Sequence, residues 1–130
     1  MADYNVAKIA ELEGFYNGLF LKARSALGVK SFGMAVIELG PNSDAHPDHD
    51  HAGVGQEEVY VVLSGTGEIE IEGETIALDP ETMVRVGPEA KRKIRPGGDG
   101  MRLLSIGGVP GGAYEAPSYS EVGQPDPLAG

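Results

Sequence analysis

The sequence predicts an all-β fold, a closed barrel or sandwich of about eight short strands. This follows from three features of the chain. Short apolar runs rich in Val, Ile and Leu are punctuated by glycine, which makes up 20 of the 130 residues, about twice the ~7% of ordinary proteins. From Glu68 to Glu72 the chain alternates Glu with Ile, the period-2 pattern of a strand with one wet and one buried face. No long segment carries the 3.6-residue period of an amphipathic helix.

The elements follow in order along the chain. Val6–Leu12 offers a short N-terminal helical turn before Gly14 stops it. Leu19–Leu27 and Phe32–Leu39 read as strands separated by Gly28-Val29-Lys30-Ser31. Glu58–Leu63 is a dense β-branched and aromatic run, and Ser64-Gly65-Thr66-Gly67 reads as the turn into Glu68–Glu72. Gly73-Glu74 turns into Thr75–Leu78, and Asp79-Pro80-Glu81 into Thr82–Val86. Lys91–Arg95 and Met101–Ile106 complete the series. The Pro/Gly-rich C-terminal tail, over 108–130, is expected to drape over the barrel through Tyr114 and Tyr119 and to fray at its last residues.

Size and composition narrow the function. A length of 130 residues fits one domain spanning 1–130, with the barrel core at about 19–107. The absence of cysteine excludes disulfides and thiolate metal sites, and agrees with a cytoplasmic location. No apolar run approaches the ~18 residues of a membrane span, and the N-terminus lacks the pattern of a signal peptide, so no membrane partner is expected. The formal charge of −10 argues against nucleic acid, whose phosphates such a surface repels.

All three histidines fall in the window His46–His51, HPDHDH. His49 and His51 are separated by one residue, so on an extended chain both rings point to the same face. Glu58 opens the following strand, and Glu57 beside it points the other way. Two imidazoles and a carboxylate on one face make the arrangement that holds Fe²⁺ and related divalent metals with open positions. A solvated histidine-rich loop is the competing reading. Tyr60 shares the face of Glu58 and is expected to line the same cavity, as a packed tyrosine or as a hydrogen-bond donor to a ligand.

The stretch His49–Gly67, HDHAGVGQEEVYVVLSGTG, resembles the first motif of the cupin superfamily. That motif has two histidines one residue apart, then a glutamate, then a glycine after six more residues, and Glu58 with Gly65 matches the last spacing. The segment IEIEGETIALDPETMVRVGPEAKRKI is similar to the family's second motif region. The resemblance implies a double-stranded β-helix, the jelly-roll barrel of a small single-domain cupin, paired as a homodimer. It also implies one divalent transition metal (Fe²⁺, Mn²⁺, Ni²⁺ or Zn²⁺) held by His49, His51 and Glu58. Six residues, AGVGQE, lie between His51 and Glu58, where the family usually has three or four. Gly40 stands at the family's usual offset before His46, so His46 and Asp48 form a second register.

Counting from Gly87-Pro88, Arg92 stands where the second motif offers a further histidine. Arginine has no lone pair to give a metal. It then anchors an anionic substrate, pairs with Glu58 inside the barrel, or faces solvent on a shifted strand. With Lys91 and Lys93 outward, strand parity turns Arg92 inward. Two functions remain open. One is a metal-dependent dioxygenase, isomerase or lyase acting on a small polar or acidic molecule. The other is a metal-free module that binds a small molecule or anion, with Arg92 in the cavity taking an anionic ligand or pairing with Glu58.

Overall fold

The computed structural model describes residues 2–128. Seven strands form one antiparallel sheet among these residues. They are β1 (Gly14–Phe15), β2 (Phe20–Leu21), β3 (Gly33–Leu39), β4 (Glu57–Ile71), β5 (Glu74–Leu78), β6 (Met83–Val86) and β7 (Arg92–Gly108). A short helix, α1 (Ala23–Leu27), lies between β2 and β3.

The centre of the fold is a ribbon of the two long strands. β4 and β7 pair antiparallel from Glu57 opposite Gly108 to Ile71 opposite Arg92, with register shifts between Val62 and Ser64 and between Gly65 and Gly67. β3, β2 and β1 extend the sheet from β7, while β6 and β5 flank the two halves of β4. Side chains of both halves then meet inside, with Tyr60, Val62, Ile69, Ile94 and Leu103 in one buried cluster. Ile69 is buried between the wetter Glu68 and Glu70, as the alternation requires.

Several expected elements change. Ser64–Gly67 is not a reversal but an irregular passage within β4, and Lys91–Arg95 and Met101–Ile106 are two parts of one bent strand. Both outcomes use the same chemistry, a glycine at positive φ (Gly65, φ 80°). A Cβ on Gly65 would lie 2.1 Å from the carbonyl oxygen of Gly100, so only glycine lets the two strands cross there. The expected strand Leu19–Leu27 keeps only Phe20–Leu21. Beyond it Ala-Arg-Ser-Ala-Leu, mostly good helix formers, makes α1, which Gly28 ends in the left-handed conformation. Of the helical turn expected over Val6–Leu12, only Ile9–Glu11 forms, as a 3₁₀ turn.

The tail packs as far as it is described. Asp126 accepts hydrogen bonds from the backbone N–H groups of Tyr16 and Asn17, so fraying does not begin before it. The expectation of fraying at Ala129 and Gly130 lies outside the described residues. No described helix is long and apolar enough to cross a membrane.

Candidate metal centre and ligand cavity

The histidine window is held by the strand that follows it in space. The backbone of His49 and Arg92 exchange hydrogen bonds in both directions, at 3.1 and 2.8 Å, and the His51 N–H donates to the Pro88 carbonyl at 2.8 Å. Lys93 Nζ donates to the carbonyls of Asp44 and His46 at 3.0 and 2.6 Å, on the side opposite Arg92. Lys93 therefore points away from the interior, as parity predicts, but clamps the loop instead of extending into water. Sequence reasoning missed this positioning role, since nothing local links residues so far apart.

His49, His51 and Glu58 converge, with one ligand-type atom from each lying within 4.8 Å of the others. The rings of His49 and His51 meet edge to face at 4.9 Å between centroids. His49 Nδ1 lies 2.8 Å from the Pro47 carbonyl, so it carries the proton and leaves the lone pair on Nε2. Burial lowers the pKa of His49, against the raising effect of that carbonyl, and favours the neutral ring. His51 Nε2 approaches Glu58 Oε1 at 3.4 Å without hydrogen-bond alignment, and this buried nitrogen has no partner.

Glu58 Oε1 also accepts from the Tyr60 hydroxyl and, at 3.2 Å, from Arg92 Nη1. Burial alone would raise the Glu58 pKa. The closeness of His51, the hydrogen bond from Tyr60 and the charge of Arg92 outweigh it and hold the carboxyl below its ordinary value. Tyr60 is pushed well above its ordinary pKa, first by burial and then by Glu58, so its hydroxyl stays a donor. Glu57 turns outward to Arg85 at 2.7 Å.

Arg92 is fully buried and faces inward. Each of its nitrogens is engaged by the protein: Nη1 by Glu58, Nη2 by the Gly87 carbonyl at 2.7 Å, and Nε by the Ala90 carbonyl at 3.0 Å. The reading of Arg92 as an anion anchor is corrected accordingly. Each nitrogen has one partner, in Glu58 or in the turn before β7, and Arg92 is not among the residues that line the cavity. The second register also falls: Asp48 is exposed, and His46 lies beside the triad rather than in it. His46 is buried, with its Nδ1 accepting from the Ile94 N–H at 3.0 Å. Burial lowers its pKa to about 3, so it is neutral with the proton on Nε2, which has no partner.

His49, His51 and Glu58 line a cavity of about 730 Å³. Its wall is a succession of rings. Tyr119 packs on Phe15 at 5.2 Å, Phe15 stacks on Phe20 at 5.2 Å, Phe20 meets His46 at 6.2 Å and His46 meets His49 at 5.3 Å. The tail supplies Tyr114 and Tyr119 to this lining, as expected from the sequence.

No family model matches the sequence. No curated protein matches it. Its fold is similar to that of solved structures. A cupin protein from Bacteroides fragilis is 25% identical, with a TM-score of 0.71 over 92% of this chain and 95% of that one. An RmlC-like cupin protein from Desulfovibrio desulfuricans is 18% identical, with a TM-score of 0.56 over 83% and 96% of the two chains. KdgF from Halomonas sp. is 11% identical, with a TM-score of 0.55 over 82% and 84%. With its all-β architecture and a His-His-Glu cluster that could hold a metal, the chain is a small protein of the cupin fold.

Proposed function

We propose that the protein binds a small molecule in the ring-walled cavity and holds a divalent transition metal in its lining, where it acts as an enzyme of the dioxygenase, isomerase or lyase kind. The metal ligands are His49 Nε2, His51 Nε2 and a carboxylate oxygen of Glu58. The observation that carries this reading is His51 Nε2, a buried nitrogen without a partner, beside two further donors within 4.8 Å. A buried polar atom left unpaired is rare and calls for a partner. The donor set of two imidazoles and a carboxylate fits Fe²⁺, Mn²⁺, Ni²⁺ or Zn²⁺. Such an ion would supply Lewis acidity to an oxygen of the bound molecule.

The chain's own groups have defined tasks in this reading. The Pro47 carbonyl fixes the tautomer of His49, and the Tyr60 hydroxyl and Arg92 orient Glu58. The Arg92 charge beside Glu58 also weakens the site for a cation. One observation favours a second reading: the 3.2 Å pairing of Arg92 with Glu58 completes the interior without a metal, leaving a metal-free small-molecule module.

The test is the metal content of protein purified without chelator or affinity tag, followed by calorimetric titration with Ni²⁺ or Zn²⁺. Binding by the wild type is expected, with about 10-fold or greater loss in His49→Ala or His51→Ala, a loss seen even when only supporting groups are removed. A wild type that binds neither ion supports the metal-free module. The homodimer implied by the resemblance belongs to this proposal and is read by sedimentation.

A further inference from the structure

The positive charges around the cavity are already neutralised. Lys22 Nζ, on a buried side chain, donates to the carbonyls of Glu121 and Gln124 at 2.9 and 3.0 Å and lies 3.5 Å from Glu13. Arg24 donates to the Val29 carbonyl at 2.9 Å and to the Glu121 carboxylate at 2.6 Å, and only its Nε lacks a partner. Arg92 is taken up by Glu58. Glu38 and Glu58 are also among the lining residues, with Glu38 paired to Arg102 at 2.5 Å, and the chain as a whole carries a charge of −10. An anion entering this space would lose its water without gaining a free countercharge, a cost of several kcal/mol or more for a charge in an apolar setting.

What the cavity does offer is flat apolar surface and, at His46, a buried donor without a partner. Phe15, Tyr16, Phe20 and Tyr119 form a cluster with centroid separations from 5.2 to 6.0 Å. Also in the cavity lining, His46, itself 1% exposed, is fixed through Nδ1 by the Ile94 N–H, which forces its proton onto Nε2. That N–H has no acceptor in the protein, and its ring packs against Phe20 and His49, both of which line the cavity. We propose that the ligand of this cavity is an uncharged, flat, ring-bearing molecule whose carbonyl-type oxygen accepts the Nε2–H of His46. The proposal rests on the reading of the cavity as the ligand site, but not on the metal. It replaces the acidic molecule expected from the sequence.

The test uses the full-length protein stripped of metal by chelator, so a failure of the metal reading leaves it intact. Three probes of one scaffold are titrated at neutral pH: 2-acetylnaphthalene, 2-ethylnaphthalene and 2-naphthoate. The ketone should bind best. The ethyl compound should bind about 5- to 10-fold more weakly, the scale of one hydrogen bond, and the carboxylate about 10-fold more weakly or worse. In His46→Phe, which keeps a ring but removes the donor, the ketone should fall to the level of the ethyl compound. That variant also strands the Ile94 N–H, so the wild-type comparison stands as the arm that needs no substitution. Equal binding of ketone and ethyl compound would remove His46 as the donor. Carboxylate binding as tight as the ketone would overturn the uncharged class, and no binding of either neutral probe would overturn the proposal as a whole.

Discussion

A guanidinium in an apolar interior must be paired, and Arg92 finds its pairing in Glu58 and in two carbonyls of the turn before β7. Removing one partner of a buried ion pair strands the other. Arg92→Ala is therefore expected to cost about 3–5 kcal/mol, measured by urea unfolding, and a loss under about 1 kcal/mol would mean that water reaches Glu58 freely. Arg92→His removes the competing charge and offers a further imidazole to the centre. Under the metal reading, Ni²⁺ affinity should rise in that variant, and calorimetry beside the wild type checks it. The inward turn of Arg92 was legible from the parity of Lys91, Arg92 and Lys93. That it would also bond the carbonyls of Gly87 and Ala90 was not, because those bonds depend on how the turn folds back.

At the scale of elements, the long strands depend on two glycines with different demands. Gly65 (φ 80°) and Gly73 (φ 84°) both occupy backbone conformations that a side chain resists. A Cβ on Gly65 would strike the Gly100 carbonyl at 2.1 Å, whereas Gly73 has open space around it. Gly73→Ala should thus cost about 1 kcal/mol, the conformational term alone. Gly65→Ala must also push β4 from β7 and should cost more than about 2 kcal/mol, in the range of strained or overpacked sites. Equal losses by thermal unfolding would show that the crossing is loose. The sequence marks Gly65 as special but does not say whether the chain reverses there or merely bends. A turn and a bulge ask for the same residue, and the choice is made by pairing with β7 on both sides of the irregularity. Helix α1 was missed for a related reason, since five residues are too few to display a period.

The whole molecule is closed by its own ends. Glu121 bonds Arg24 and Ser25, while Asp126 bonds the backbone of Tyr16 and Asn17, and the tail ahead of Glu121 walls the cavity through Tyr114, Pro117, Tyr119 and Ser120. The hydrogen bond from Arg24, then that from Ser25, holds the Glu121 carboxyl below its ordinary value, and backbone N–H groups of Leu128 and Asn17 do the same for Asp126. A carboxylate depressed in the folded state contributes its stabilisation fully above its ordinary pKa and loses it as pH falls through the depressed value. The tail should accordingly stay docked at neutral pH and loosen below about pH 4, the ordinary carboxylate range. Limited proteolysis between pH 7 and 3 reads this: cleavage should appear in the tail first, and Glu121→Gln should bring it to higher pH. A tail that resists cleavage at pH 3 would show that its rings, not its carboxylates, hold it.

The all-β architecture, the shared face of His49 and His51, the place of Glu58 and the inward face of Arg92 were legible in the order of residues alone. Each was read from alternation between near neighbours, a local period, although His49 and His51 lie outside the strands and are held by the backbone of Arg92 and Pro88. Three things were decided only by the tertiary structure: the bends that join short runs into β4 and β7, the neutralisation of Lys22, Arg24 and Arg92, and the ring-walled cavity with the orphaned Nε2–H of His46. Each arises where residues far apart in the chain meet, as Lys22 does Gln124 and His46 does Ile94. Which buried charge finds a partner, and which donor is left without one, is set by that meeting and by no neighbour in the sequence.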